Sequence, residues 1–167
     1  MKMFSLNAKK IIVTVCLSII ALFFASCEVS EDKSEDKVVV SLGKYENRVF
    51  FTEGVFQDFT DYAKYYYTAA EVAENKYLEK IQETDLAAIN MHLDDFEGWI
   101  ETIKNSTASS KLVENYDFDR GIIDSEDYFF INSQEHTWSD GYTSLVRYDV
   151  YLFDTQTQVL YYFHNNI

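Results

Sequence analysis

The chain has 167 residues, with 28 acids against 14 lysines and arginines and a formal net charge of −14. Such a balance repels phosphate backbones and anionic headgroups, so nucleic acid is excluded as a partner and basic proteins or cations are favoured. Thirteen Tyr, thirteen Phe and two Trp must supply much of the core, since each large ring is a heavy apolar payload.

At the N-terminus Lys2, Lys9 and Lys10 precede an apolar run, Ile11 to Phe24, interrupted only by Thr14 and Ser18. Fourteen residues of helix rise about 21 Å, against a bilayer core of roughly 30 Å. The run therefore suits a signal-peptide h-region better than a membrane span. Phe24-Ala25-Ser26-Cys27 then resembles the lipobox of bacterial lipoproteins, an apolar residue and two small ones before an invariant cysteine. Phe24 stands where leucine is usual, and the resemblance covers only residues 1–27. It implies a signal peptide over 1–26, cleavage before Cys27 and lipidation of the Cys27 thiol. It also implies a membrane anchor on the extracytoplasmic side of the cell envelope, or at the cell surface. With Cys16 lost in the signal and Cys27 acylated, the remaining chain would have no thiol. That would exclude a disulfide framework, a Cys-based zinc site and thiol catalysis.

Residues 28–37, EVSEDKSEDK, are acidic and almost without apolar side chains. Such a segment cannot bury enough surface to offset its ordering entropy, so 27–37 reads as a lipidated cysteine and a disordered tether. A single α+β domain is expected over 38–167.

Within it, VVVSL and GKYENRVFFT suggest one or two short strands with a turn near Gly43. Phe56, Phe59, Ala63, Tyr66, Ala70, Ala73, Tyr77 and Ile81 follow at helical spacing and predict a first helix, with Tyr65 and Tyr67 flanking its seam. Leu86, Ile89, Leu93, Phe96, Ile100 and Ile103 predict a second, capped by Thr84 or Asp85 and ending at KNSTASS. Gly98 inside it suggests close packing. Alternation from DYFFIN onward predicts strands, with TSLVRYDVYLF and VLYYFH forming an antiparallel hairpin centred near Thr155 and Gln156. The expected architecture is a two-helix antiparallel hairpin on one face of an antiparallel sheet of about four to five strands.

Few residues suggest chemistry. The acidic stretch 117–127 fails the EF-hand register, because counting from Asp117 puts Gly121 at position five and Tyr128 at twelve. A weak, irregular calcium site stays open there, beside the plainer reading of a solvated turn. His92 and Asp95 stand three apart on the second helix, with His92 expected at the seam boundary, and His164 reads as a strand residue. No zincin, P-loop, G-x-S-x-G or G-x-G-x-x-G motif is present, so no catalytic residue, metal or cofactor is assigned. SQEHTWSDGY reads as a polar loop ending in a turn at Asp140-Gly141. Large aromatics are mostly buried, so Trp138 is expected to fold back on the helices. Left in solvent it would form an interaction loop with His136, Asp140 and Tyr142.

The functional expectation is a membrane-anchored, non-enzymatic binding or interaction domain for a protein or small-molecule ligand. One alternative is a protective inhibitor or immunity-type lipoprotein that binds a basic protein. Another is a small-ligand pocket or enzyme between sheet and helices.

Overall fold

A computed structural model describes residues 36–55 and 58–166. The signal, Cys27 and the tether up to residue 35 lie outside the described residues. In chain order come helix α1 (Lys37–Ser41), strands β1 (Asn47–Val55), β2 (Asp58–Tyr66) and β3 (Glu79–Lys80), helices α2 (Leu86–Ser106) and α3 (Lys111–Asn115), and strands β4 (Tyr128–Thr137), β5 (Thr143–Asp154) and β6 (Val159–Asn166). The six strands form one antiparallel sheet in the order β1-β2-β6-β5-β4-β3. The class is α+β, as expected; the sheet has six strands rather than four or five, and among the described residues only the second helix of the expected hairpin is present.

Phe56 lies outside the described residues; from Phe59 on, the predicted first helix is instead the strand β2 followed by a segment running on to β3. The reason lies in burial on both sides of the sheet. Tyr62 packs toward α2 while Ala63, Tyr65 and Tyr67 pack toward α1. A strand covered on both faces carries apolar residues at nearly every position, so a helical subset can always be picked out of it. Tyr, Phe and Thr in this stretch also favour a pleated surface.

The opposite correction applies to VVVSL. Three β-branched or apolar positions suggested a strand, but they form α1. Asp36 caps that helix, its Oδ1 accepting from the Val38 and Val39 amides at 2.9 and 3.4 Å. Val38, Val39 and Leu42 are then buried against Ala63, Tyr65, Phe153 and Leu160. A satisfied N-terminus and a buried stripe outweigh propensity differences of a few tenths of a kcal/mol per residue. Asp36 and Lys37 thus belong to the fold, not to the tether, and the Asp36 carboxylate also accepts from the Tyr151 hydroxyl at 2.6 Å.

The second predicted helix is α2. Ile89, Leu93, Phe96 and Ile100 are buried on its sheet side, Ile103 packs partly against the same core, and Leu86 is exposed. Asp85 stands at the N-cap, and its carboxylate reaches back to the Gln82 amide at 2.9 Å. A Cβ added at Gly98 would meet nothing within 4 Å, so this glycine serves no close approach.

Two cores result. On the helix face Tyr62, Tyr148, Val150, Leu152 and Phe163 meet α2 and Leu112 of α3. On the far face the shorter α1 and residues of the 67–78 segment cover Tyr65, Tyr151, Phe153 and Leu160. Each large side chain so buried contributes about 1.5–3 kcal/mol before entropy is counted.

Candidate functional site

The β4–β5 hairpin carries the residues that the sequence singled out. β4 continues through Thr137, so Gln134, Glu135 and His136 are strand residues rather than loop. A turn over 138–142 closes with the Trp138 amide on the Tyr142 carbonyl at 2.8 Å and the Gly141 amide on the Trp138 carbonyl at 2.9 Å. Gly141 has φ +86°, a left-handed conformation that glycine adopts without steric cost. Asp140 Oδ1 accepts from the Tyr142 amide at 3.0 Å.

Trp138 does not fold back on a helix. It is 54 % exposed and Tyr142 is 65 % exposed, because the ribbon runs past its neighbour. Among the described residues β6 pairs with β5 from Arg147 onward, whereas β4 follows β5 out to Thr143. The Trp138 ring is held edge-on to His136 at 4.6 Å, and its Nε1 donates to Ser144 Oγ at 3.3 Å. His136, Trp138, Asp140 and Tyr142 are therefore together at one projecting end, with both large rings in solvent.

The acidic stretch 117–127 is bound up in the protein's own hydrogen bonds. Asp117 accepts from Tyr62 and Lys64, Asp119 from the Gly121 amide, and Asp124 from the Glu126 amide and Gln156. Asp127, buried, takes the Thr155 amide at 2.9 Å and the Asp124 amide at 3.0 Å. Burial pushes the Asp127 carboxyl above its ordinary value, although these amides pull it down. Among the described residues no group of three or more His, Cys, Asp or Glu is placed to hold a metal ion.

Sequence reasoning missed a polar row on the far face. The register sets Thr52 opposite Asp61, Asp61 opposite His164, His164 opposite Asp149 and Asp149 opposite Asn132. Five adjacent strands thus place one side chain each in a line. Asp149, between His164 and Asn132, accepts from His164 Nδ1 at 2.7 Å, the Tyr162 hydroxyl at 2.9 Å and Asn132 Nδ2 at 3.2 Å. Burial raises the Asp149 carboxyl, but these bonds outweigh it and hold the group below its ordinary value. Phe59 stacks on the His164 ring at 4.9 Å.

His92 also departs from expectation, being buried rather than at a boundary. Its Nδ1–H donates to the Ala88 carbonyl at 2.8 Å and its ring meets Tyr148 edge-on at 5.3 Å. Tyr148 in turn donates to Asp95 at 3.0 Å, so His92 and Asp95 share a neighbour.

Beside Ile81, Phe118 and Leu152 the free space against the sheet amounts to about 10 Å³. At the end of the sheet a cleft of about 270 Å³ opens, lined by Phe59, Thr60, Trp99, Ile103 and Asn165 with Glu53 and Asp58 also on its wall. No helix among the described residues is long and apolar enough to cross a membrane. No protein-family model matches the chain, and neither a curated protein nor a solved structure is significantly similar to it.

Proposed function

We propose that this chain is a lipid-anchored, extracytoplasmic interaction module, tethered through Cys27, that engages a protein partner with the tip of its β4–β5 ribbon. The observation that carries the reading is the exposure of Trp138 and Tyr142, 54 % and 65 %, on a ribbon that projects beyond β6. Large rings held in place but left in solvent are the usual anchors of an interface, since they bury much area at little entropic cost. The anchor rests on the residues around Cys27. A single acyl chain binds a membrane only marginally, and two or more on one cysteine would hold the protein there.

The formal net charge of −14 favours a basic partner, which is also what the immunity-type alternative requires. A small-ligand reading is favoured by one observation, the cleft of about 270 Å³ walled by Phe59, Trp99 and Ile103. That volume lies just under the usual range for ligand pockets.

The test has two arms. Metabolic labelling with a radioactive fatty acid should mark the wild type and not Cys27→Ser; equal labelling of both would refute the anchor. Cross-linking from Ser139 in intact cells should yield a discrete adduct that Trp138→Ala with Tyr142→Ala abolishes. Persistence of that adduct in the double variant would refute the ribbon as the contact. Loss of the adduct with added salt would mark a charge-steered partner.

A further inference from the structure

At one end of the sheet Asn166 of β6 pairs with Phe59 of β2 on one side and with Arg147 of β5 on the other. The β4–β5 ribbon runs on past this end to its turn over 138–142. The cleft of about 270 Å³ opens at the same end. Three elements build its walls: Trp99 and Ile103 stand on α2, Asp58 and Phe59 on β2, and Glu53 on β1.

The charge in this cleft has one sign. Glu53 and Asp58 are its charged side chains, and no lysine, arginine or histidine among the described residues lines it. Neither carboxylate belongs to an ion pair among the described residues. α2 ends on the same wall, at Ser106 and Thr107, and a helix C-terminus adds partial negative charge. Lys104, the basic residue of that last turn, gives its ammonium to Glu101 at 3.1 Å instead. An aromatic and aliphatic trough walled by two unpaired carboxylates calls for a cation on a hydrocarbon stem. Its volume falls short of the usual range for a whole ligand, which suits a single side chain.

Given a basic protein partner gripped by the ribbon, a reading on which this step rests, we propose that the cleft receives one arginine side chain of that partner. The stem lies along Ile103 and Phe59, and the guanidinium stacks on the Trp99 indole and pairs with Glu53 and Asp58. Arginine is favoured over lysine because a planar guanidinium both stacks on an aromatic face and forks to a carboxylate. The ribbon tip then supplies apolar contact area, and the cleft supplies selection. An acidic side chain there would meet like charge, and a neutral one would leave both carboxylates unpaired.

Nitrogen-15 spectra of the full chain in detergent read the site directly. The two tryptophans give one indole signal each, Trp99 reporting on the cleft and Trp138 on the ribbon tip. Titration with N-acetyl-argininamide should move the Trp99 signal to saturation and leave that of Trp138 in place. N-acetyl-norleucinamide, a stem without the charge, should bind at least about tenfold more weakly, the scale of a charge-assisted hydrogen bond. Glu53→Gln with Asp58→Asn should weaken arginine binding by a similar factor. No shift at Trp99, a shift as large at Trp138, or equal binding of the two capped residues would overturn the proposal. So would tighter binding of free n-butylamine, which would make the cleft a site for small amines. Should the double variant fail to fold, the two capped residues on the wild type decide alone. The cross-link from Ser139 tests the ribbon separately. An arginine-dependent shift at Trp99 without that adduct would support the cleft and refute the ribbon contact; the adduct without the shift would do the reverse.

Discussion

Arg120 grips Glu97 with a two-pronged contact, Nε to Oε1 at 3.1 Å and Nη2 to Oε2 at 2.8 Å, while Nη1 reaches Asp94 at 2.7 Å. Tyr116 donates to the same Oε1 at 3.0 Å. The connection between α3 and β4 is thereby fastened to α2. The guanidinium side chain is 28 % exposed, so screening leaves part of the interaction intact. Arg120→Met should cost about 1–2 kcal/mol, because a fork on a carboxylate is among the stronger polar contacts. Arg120→Lys should recover less than half of that, since an ammonium cannot reproduce the fork. Urea melts of the three proteins check this; equal midpoints for wild type and Met variant would show that the clamp contributes nothing.

The acidic stretch makes a second prediction. Asp127 satisfies two backbone amides from different segments, those of Thr155 and Asp124. Truncation to Ala leaves both without a partner in a buried setting and should cost about 2–3 kcal/mol. Its neighbours are likewise engaged, Asp124 by Glu126 and Gln156, and Glu126 by Lys80. Calcium would have to displace these bonds one by one. Calorimetry in millimolar calcium and in chelator should therefore give the same melting temperature; a calcium-dependent rise would restore the irregular site.

How much of this was legible beforehand depended on burial. α2 has one buried stripe and one wet face, so its period stood out. β2 is covered on both sides, and α1 is too short to show a period at all. The polar row was hidden for a sharper reason. The β5–β6 hairpin was expected, but a centre at Thr155 and Gln156 sets Asp149 opposite Tyr162. The real connection spans 155–158, which moves the centre by one residue and sets Asp149 opposite His164. A one-residue change in register decides which side chains meet. The exposure of Trp138 was open for another reason: composition says that tryptophans are usually covered, and only the length by which β4 and β5 outrun β6 leaves this one in solvent.

Gly98 offers a gain in stability. It lies within α2, is exposed, and has free space where a Cβ would stand. Glycine in a helix interior costs about 0.5–1 kcal/mol relative to alanine, largely through the unfolded chain. Gly98→Ala should add that amount and raise Tm by a few degrees. An unchanged or lower Tm would mean that the local backbone departs from an ordinary helix.

Asp149 sets the acid side of the stability profile. Its carboxyl is raised by burial but held below the ordinary value overall by hydrogen bonds from His164, Tyr162 and Asn132. A carboxyl with a depressed folded pKa contributes stability that is present above the unfolded value of about 3.9. That stability is lost as pH falls through the folded value. Asp149→Asn keeps an acceptor and nearly the same shape but removes the charge. It should destabilise the protein at pH 7 by about 1–3 kcal/mol, the range for a hydrogen-bonded group that loses its charge assistance. Because the variant has no ionised form to lose, the gap should narrow on acidification. Denaturation midpoints between neutral pH and pH 3 measure this directly. A gap that stayed constant across that range would show that the charge on Asp149 has no part in holding β4, β5 and β6 together.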